Sequence, residues 1–157
     1  MPNGMDELKD IFKEGEYYPF KILKSLTLPD NKKYYLLQDI YNVKHLLPAW
    51  YYSDVYQFSP NQIIDCKIDK INCNGKIFLE PKHPYFKEGE LLILKVTETE
   101  EIFNNYNDPD QILFVTDNRG NRYQAIPNKY IKIPKCPVDI KAYLVKVSKG
   151  KLYLQLC

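Results

Sequence analysis

Apolar and polar residues alternate along most of this chain, and the two clearest stretches resemble each other. Between Asn61 and Glu80, Ile64, Cys66 and Ile68 share one face of a strand and Asp65, Lys67 and Asp69 the other. Gly75 and Lys76-Ile77-Phe78-Leu79 follow. Between Cys136 and Gln155 the same layout returns: a long alternating strand through Val147, then Gly150 and Lys151-Leu152-Tyr153-Leu154. Gly75 and Gly150 fall where a two-residue hairpin loop needs positive φ, which glycine adopts without steric cost. A repeat at about half the chain length sets the architecture, and it predicts two small β-barrels in tandem.

The rest of the pattern fills in around those hairpins. Leu8, Ile11 and Phe12 at helical spacing predict a short amphipathic helix over Met5 to Lys13, capped by Asn3 or Asp6 and ended by Gly15. Strands are expected at Tyr17–Leu28, Lys33–Asp39 and Asn42–Leu47, with Pro29-Asp30-Asn31 as a turn. Pro48 opens a segment to Asp54 suited to one helical turn, since proline is tolerated at the first helical position. A fourth strand follows Ser59-Pro60-Asn61, and a fifth follows Asn74-Gly75 until Pro81-Lys82-His83-Pro84 stops it. Five strands with a short helix between the third and fourth is the order of an OB-fold barrel. The second half restarts at Glu90–Thr99 and continues with Gln111–Thr116, Asn121–Ile126, Val138–Val147 and Lys151–Leu156. Little room for a helix remains between Ile126 and Val138, so the second barrel is expected to be reduced. The expectation is an all-β protein: an N-terminal helix in 1–14, a first OB-like barrel in 15–88 and a second, reduced one in 89–157.

Composition narrows the setting. No stretch approaches the roughly 20 apolar residues of a membrane span, and the first residues lack the basic-then-apolar layout of a leader peptide. Four cysteines are then expected as free thiols in a reducing compartment, which points to the cytoplasm. Net charge is only +2, but it is unevenly spread. Glu98, Glu100, Glu101, Asp108, Asp110 and Asp117 form an acidic stretch. From Arg119 to Lys151 the charges are basic except Asp139. Such a basic run can track a phosphate backbone, or it can be a solvated face balanced by the acidic stretch before it.

Chemistry-bearing motifs are missing from the sequence. It has no glycine-rich phosphate loop, no serine-centred nucleophile motif and only two histidines, His45 and His83, so an enzyme is not expected. Cys66 and Cys73 are not at metal-ligand spacing, and no metal or cofactor is expected. The aromatic residues are more telling. Tyr34, Tyr35, Tyr41, Trp50, Tyr51, Tyr52 and Tyr56 crowd one region, where they either stack bases or cover a small core from outside. The aromatic side chains at Phe78 and Tyr153, each two residues after a lysine, pose the same choice between base stacking and packing.

Against this background, Asn42-Val43-Lys44-His45-Leu46-Leu47-Pro48, then Pro60-Asn61-Gln62-Ile63-Ile64-Asp65-Cys66-Lys67-Ile68-Asp69-Lys70-Ile71 and Gly75-Lys76-Ile77-Phe78-Leu79, resembles the back half of a ribosomal-protein S-one-type RNA-binding domain. His45 takes the place of that family's histidine and Lys67 that of its strand lysine. The second copy has Tyr123 or Gln124 where the histidine would be. The resemblance implies an OB-fold that binds RNA on the face of its second and third strands. The combined reading is a tandem OB-fold protein that binds single-stranded nucleic acid, RNA by preference, weakly and with little sequence specificity. Tyr35, Tyr41 and His45 would meet bases, and Lys44, Lys67, Arg119 and Arg122 would meet phosphates. The alternative is a protein–protein interaction module of a larger assembly with no nucleic-acid role. Neither reading involves a membrane.

Overall fold

Long strands that bend in the middle organise both halves of the computed structural model, which describes residues 11–103 and 109–157. The chain divides into two compact units, Met1–Pro84 and Tyr85–Cys157. In the first unit the strands are β1 (Tyr17–Thr27), β2 (Lys33–Gln38), β3 (Lys44–Pro48), β4 (Ile63–Ile71) and β5 (Ile77–Pro81). Two single-turn 3₁₀ helices, Ala49–Tyr51 and Asp54–Tyr56, lie between β3 and β4. The second unit contains β6 (Leu91–Phe103), β7 (Pro109–Thr116), β8 (Arg122–Pro127), β9 (Val138–Ser148) and β10 (Lys151–Leu156). The helix expected over Met5 to Lys13 falls largely outside the described residues, and Phe12 and Lys13 are not helical. Phe12 is nevertheless buried, its ring edge-on to Tyr18 at 4.8 Å between centroids.

The first unit is a five-stranded sheet in the order β3-β2-β1-β4-β5, and the second is a closed barrel in the order β10-β8-β7-β6-β9. The two strand orders follow the same connectivity. β1 pairs with β4 through Tyr17–Lys21 and with β2 through Lys21–Thr27, with a bulge between Ile22 and Lys24. β6 pairs with β9 through Leu91–Val96 and with β7 through Lys95–Phe103, with a bulge between Val96 and Glu98. A bulge adds a residue and sharpens the twist, which lets one long strand serve two partners on a curved sheet. Pro19 is tolerated in β1 because β4 is its only neighbour there.

Among the described residues the second unit has no helix between β8 and β9, as expected of a reduced barrel, but the first unit is an open sheet where a barrel was expected. It is the second unit that closes, through parallel pairing of β10 with β8 at Leu152–Ala125, Tyr153–Ile126 and Leu154–Pro127. In the first unit β3 ends on Pro48, which has no N–H to give to a ladder, and the chain turns at once into the Ala49–Tyr51 helix. β3 and β5 are the edges of that sheet. Without a helix between β8 and β9, the second unit ties that segment down by other means. The buried Gln111 amide donates to the Ile131 carbonyl at 2.8 Å and accepts from the Ile131 N–H at 3.1 Å. Asn128 Oδ1 accepts the Leu156 N–H at 3.0 Å.

Inward positions follow the alternation. Phe20, Ile22, Leu37, Leu47, Cys66 and Ile68 fill the first core, and Leu94, Val96, Leu113, Val115, Leu144, Leu152 and Leu154 the second. Burying each such side chain stabilises the fold by about 1.5–3 kcal/mol before entropy is counted. The turns differ from the expectation in one respect. Gly150 closes a two-residue loop with Lys149, both at positive φ, between the paired Ser148 and Lys151. Gly75 instead ends a three-residue loop: the Asn72 N–H donates to the Lys76 carbonyl and the Gly75 N–H to that of Asn72. That is a type I turn whose last residue must be left-handed, so glycine is still required, at φ 87°. None of the four cysteines is disulfide-bonded, and Cys66 alone is fully buried. Among the described residues no helix is long and apolar enough to cross a membrane.

Candidate nucleic-acid interface

The β2–β3 hairpin carries His45, and the structure commits its ring to an interior contact. Asp39, at the end of β2, accepts the Tyr41 and Val43 N–H groups on Oδ1 at 2.8 and 3.0 Å. Its Oδ2 lies 2.8 Å from His45 Nε2. Side-chain exposure is 6% for His45 and 0% for Asp39. Phe20 meets the imidazole edge-on at 5.7 Å. The carboxylate thus caps a turn with one oxygen and orients an aromatic ring with the other.

The β7–β8 hairpin repeats this arrangement with a different aromatic side chain. Asp117 Oδ1 accepts the Arg119 and Asn121 N–H groups at 2.9 and 3.0 Å, and Oδ2 accepts the Tyr123 hydroxyl at 2.9 Å. Tyr123, not Gln124, therefore takes the position of the histidine. Burial pushes the Tyr123 hydroxyl pKa up, and the Asp117 carboxylate beside it adds to the shift. Burial also pushes the Asp117 carboxyl upward, but hydrogen bonds from Asn121, Tyr123 and Arg119 outweigh it and hold the group below the usual carboxylate range.

The remaining expected contact residues are dispersed. Tyr35 packs on the first core, with Phe58 edge-on at 5.2 Å and the Lys33 ammonium 5.5 Å from its ring centre. Tyr41, in the turn after β2, also rests on that core, 6.2 Å from Phe12. Lys44 is exposed and pairs in register with Gln38 on the outward side of β2–β3. Lys67 lies half-buried in β4, opposite Tyr17 and Glu80, away from that hairpin. The structure thus places Tyr35 and His45 on the inward side of the hairpin and Lys44 on the outward side.

Arg119 and Arg122 belong to one neighbourhood in the second unit. The Arg119 guanidinium lies over the Tyr85 ring at 4.3 Å, and the Arg122 guanidinium over Phe114 at 4.9 Å. Phe114 pairs with Gln124 on one side and Glu98 on the other, so Arg122 crosses the Phe114 ring diagonally to reach Glu98 Oε2 at 2.9 Å. Both partners of that ion pair are more than half exposed, 57% and 63%. Such a pair contributes about 0–1 kcal/mol, and water or another anion competes for it readily. Phe114 and Tyr85 were not singled out from sequence. The signal for Phe114 was there, since Leu113 and Val115 point inward and the residue between them must point out.

Aromatic faces beside guanidinium groups can stack bases while the cations meet phosphates. Among the described residues no group of His, Cys, Asp and Glu is arranged to hold a metal ion. No protein-family model matches the sequence, and no curated protein matches it. Among solved structures the chain is similar to a multidomain protein with nucleic acid binding domains from Streptococcus pneumoniae TIGR4, at TM-score 0.31 and 8% identity. The likeness covers 90% of this chain and 51% of that one, so this chain spans about half the length of that relative.

Proposed function

We propose that the chain is a tandem OB-fold protein that binds single-stranded nucleic acid, RNA by preference, weakly and with little sequence specificity, and that it is not an enzyme. The observation that carries this reading is the pair of guanidinium–aromatic stacks, Arg119 on Tyr85 and Arg122 on Phe114, at one end of β7–β8. In this reading the two aromatic side chains accept bases. Arg119 and Arg122 take phosphates, with Arg122 exchanging its exposed partner Glu98 for the ligand. In the first unit the outward Lys44 adds a phosphate contact, while His45 orders the hairpin from within.

Anisotropy with a short labelled RNA tests it. Binding at low salt should weaken as salt rises, with a log–log slope of about −0.7 per phosphate neutralised. Arg122→Ala should lower that slope by up to about one unit. Phe114→Ala should weaken binding by a stacking increment of about 1–3 kcal/mol while the barrel stays folded. No binding by folded protein at about 50 mM salt would overturn the proposal.

A second reading, a protein–protein interaction module, is favoured by a different surface. Leu91 and Tyr143 pair across β6 and β9, and with Ile93 and Val145 they form an outward apolar group 45–66% exposed. Association through that face would be little affected by salt, so the same titration separates the two readings.

A further inference from the structure

The first unit holds a cluster of aromatic and charged groups that the nucleic-acid reading does not use. The Leu28–Lys32 turn folds back on the start of β2: the Tyr34 hydroxyl donates to Asp30 Oδ2 at 2.7 Å, and the Lys32 N–H to Asp30 Oδ1 at 2.9 Å. Trp50, in the 3₁₀ helix after β3, stands perpendicular to Tyr34, with centroids 5.3 Å apart and planes at 82°. Tyr51 is tilted against Trp50, at 5.3 Å and 49°. The Lys32 ammonium lies over the Trp50 ring at 5.0 Å. Two aromatic walls at right angles, a carboxylate and a cation already in place make up the chemistry of a cation site.

We propose that Tyr34, Trp50 and Asp30 form a binding site for a quaternary ammonium group, with Lys32 as the resident cation that the ligand displaces. Aromatic faces carry negative potential and attract cations, tryptophan most strongly. The Trp50 face already holds a cation, and Tyr34 and Tyr51 stand beside that ring at 5.3 Å each. Asp30 adds a full negative charge. Its hydrogen bond from Tyr34, followed by that from the Lys32 N–H, holds its carboxyl below the usual range, and the same bond raises the Tyr34 hydroxyl. The carboxylate therefore stays ionised and the phenol neutral across the physiological range. A primary ammonium such as that of Lys32 is strongly hydrated and keeps much of its water at an exposed ring. A trimethylated nitrogen sheds water more easily and offers methyl groups to both walls. Trp50 is 47% exposed, so the ring is open to such a ligand. The proposal is independent of RNA binding by the second unit.

Trp50 is the single tryptophan of the chain and reports on the site directly. Intrinsic fluorescence would be titrated with tetramethylammonium chloride against sodium chloride at matched ionic strength. The expected result is a saturable change with the quaternary ion only. Lys32→Gln should tighten binding several-fold by removing the competitor, and Asp30→Asn should weaken it several-fold, with circular dichroism confirming that both variants fold. Choline, and a peptide bearing trimethyl-lysine beside its unmethylated form, then distinguish a free small molecule from a modified chain as the source of the group. A neutral tert-butyl alcohol of choline's shape serves as the uncharged control. Equal binding of that alcohol, weaker binding by Lys32→Gln, or no saturable change in both wild type and Lys32→Gln would overturn the proposal. So would a fluorescence response to a short RNA with none to tetramethylammonium.

Discussion

The two units share a frame and differ on its outside. Pairing places Lys24, Leu36, Leu46 and Lys44 of the first unit where the second has Glu98, Phe114, Gln124 and Arg122. Likewise Tyr17 and Lys67 stand where the second unit has Leu91 and Tyr143. Inside, the correspondence is conservative: Ile22 with Val96, Ile68 with Leu144, Leu79 with Leu154. The interior has to fill a fixed volume, while outward positions are free to diverge. The hairpin between the second and third strands shows both tendencies in one place. The aspartate is kept because four donors depend on it in the second unit, and two N–H groups and a ring nitrogen face it in the first. Its aromatic partner varies because either an imidazole or a phenol can meet the second oxygen.

The largest expected effect tests that shared device. Asp39→Ala and Asp117→Ala each remove an acceptor for two turn N–H groups and strand a buried aromatic polar atom. Each should cost about 3 kcal/mol of stability in urea unfolding, from the summed loss of hydrogen bonds and the penalty for unpaired groups. The conservative changes should separate the units. Tyr123→Phe should cost about 1 kcal/mol, since it loses one neutral donor and leaves Asp117 with its backbone partners. His45→Phe should cost more, because Asp39 is the more deeply buried carboxylate. A small loss for Asp117→Ala beside a large one for Asp39→Ala would break the correspondence.

A medium effect comes from pH. The Asp117 carboxyl is held below 3.8 in the folded protein. Its contribution is therefore fully present above that value and is lost as pH falls through the lower, folded-state pKa. Between about pH 6 and pH 2, wild type should lose stability relative to Asp117→Asn, with the change concentrated below 3.8. A difference between the two that grows as pH falls in wild type's favour has the wrong sign and would break the assignment.

Much of the frame was legible in the alternation, and the reasons it failed elsewhere are physical. Strand positions came through because inward and outward residues alternate strictly, as in Ile64-Asp65-Cys66-Lys67-Ile68 and Leu152-Tyr153-Leu154. Barrel closure did not, because it rests on a parallel ladder between β8 and β10, segments far apart in sequence that no local pattern links. The loop at Gly75 was one residue longer than expected, because glycine is required in both loop types and so does not distinguish them. The site was harder to read. Tyr35 and Tyr41 stood out as aromatic, but only register shows that Tyr35 points inward beside Leu37 and Leu47. Cation–aromatic pairs such as Arg119 with Tyr85 join residues far apart in sequence, and no local pattern marks them.

The smallest expected effect sharpens the contrast between the outward faces. Glu98 has no acidic counterpart in the first unit, where Lys24 takes its place. It holds Arg122 at 2.9 Å, yet both side chains are largely in water. Glu98→Gln should therefore change stability by less than about 0.5 kcal/mol, within the range of exposed ion pairs. It also removes one negative charge next to Phe114 and frees the guanidinium without moving it off the ring. If Arg122 meets phosphate, low-salt affinity for a short RNA should rise roughly two- to fivefold, the gain corresponding to an exposed pair no longer competing. The salt slope should steepen only slightly, because the number of cations is unchanged while their local field is less offset. Arg122→Ala in the Glu98→Gln background should erase the gain, since it has no other source. An affinity gain that survives loss of Arg122 would mean that Glu98 acts only through net charge, and Arg122 would no longer be a phosphate contact.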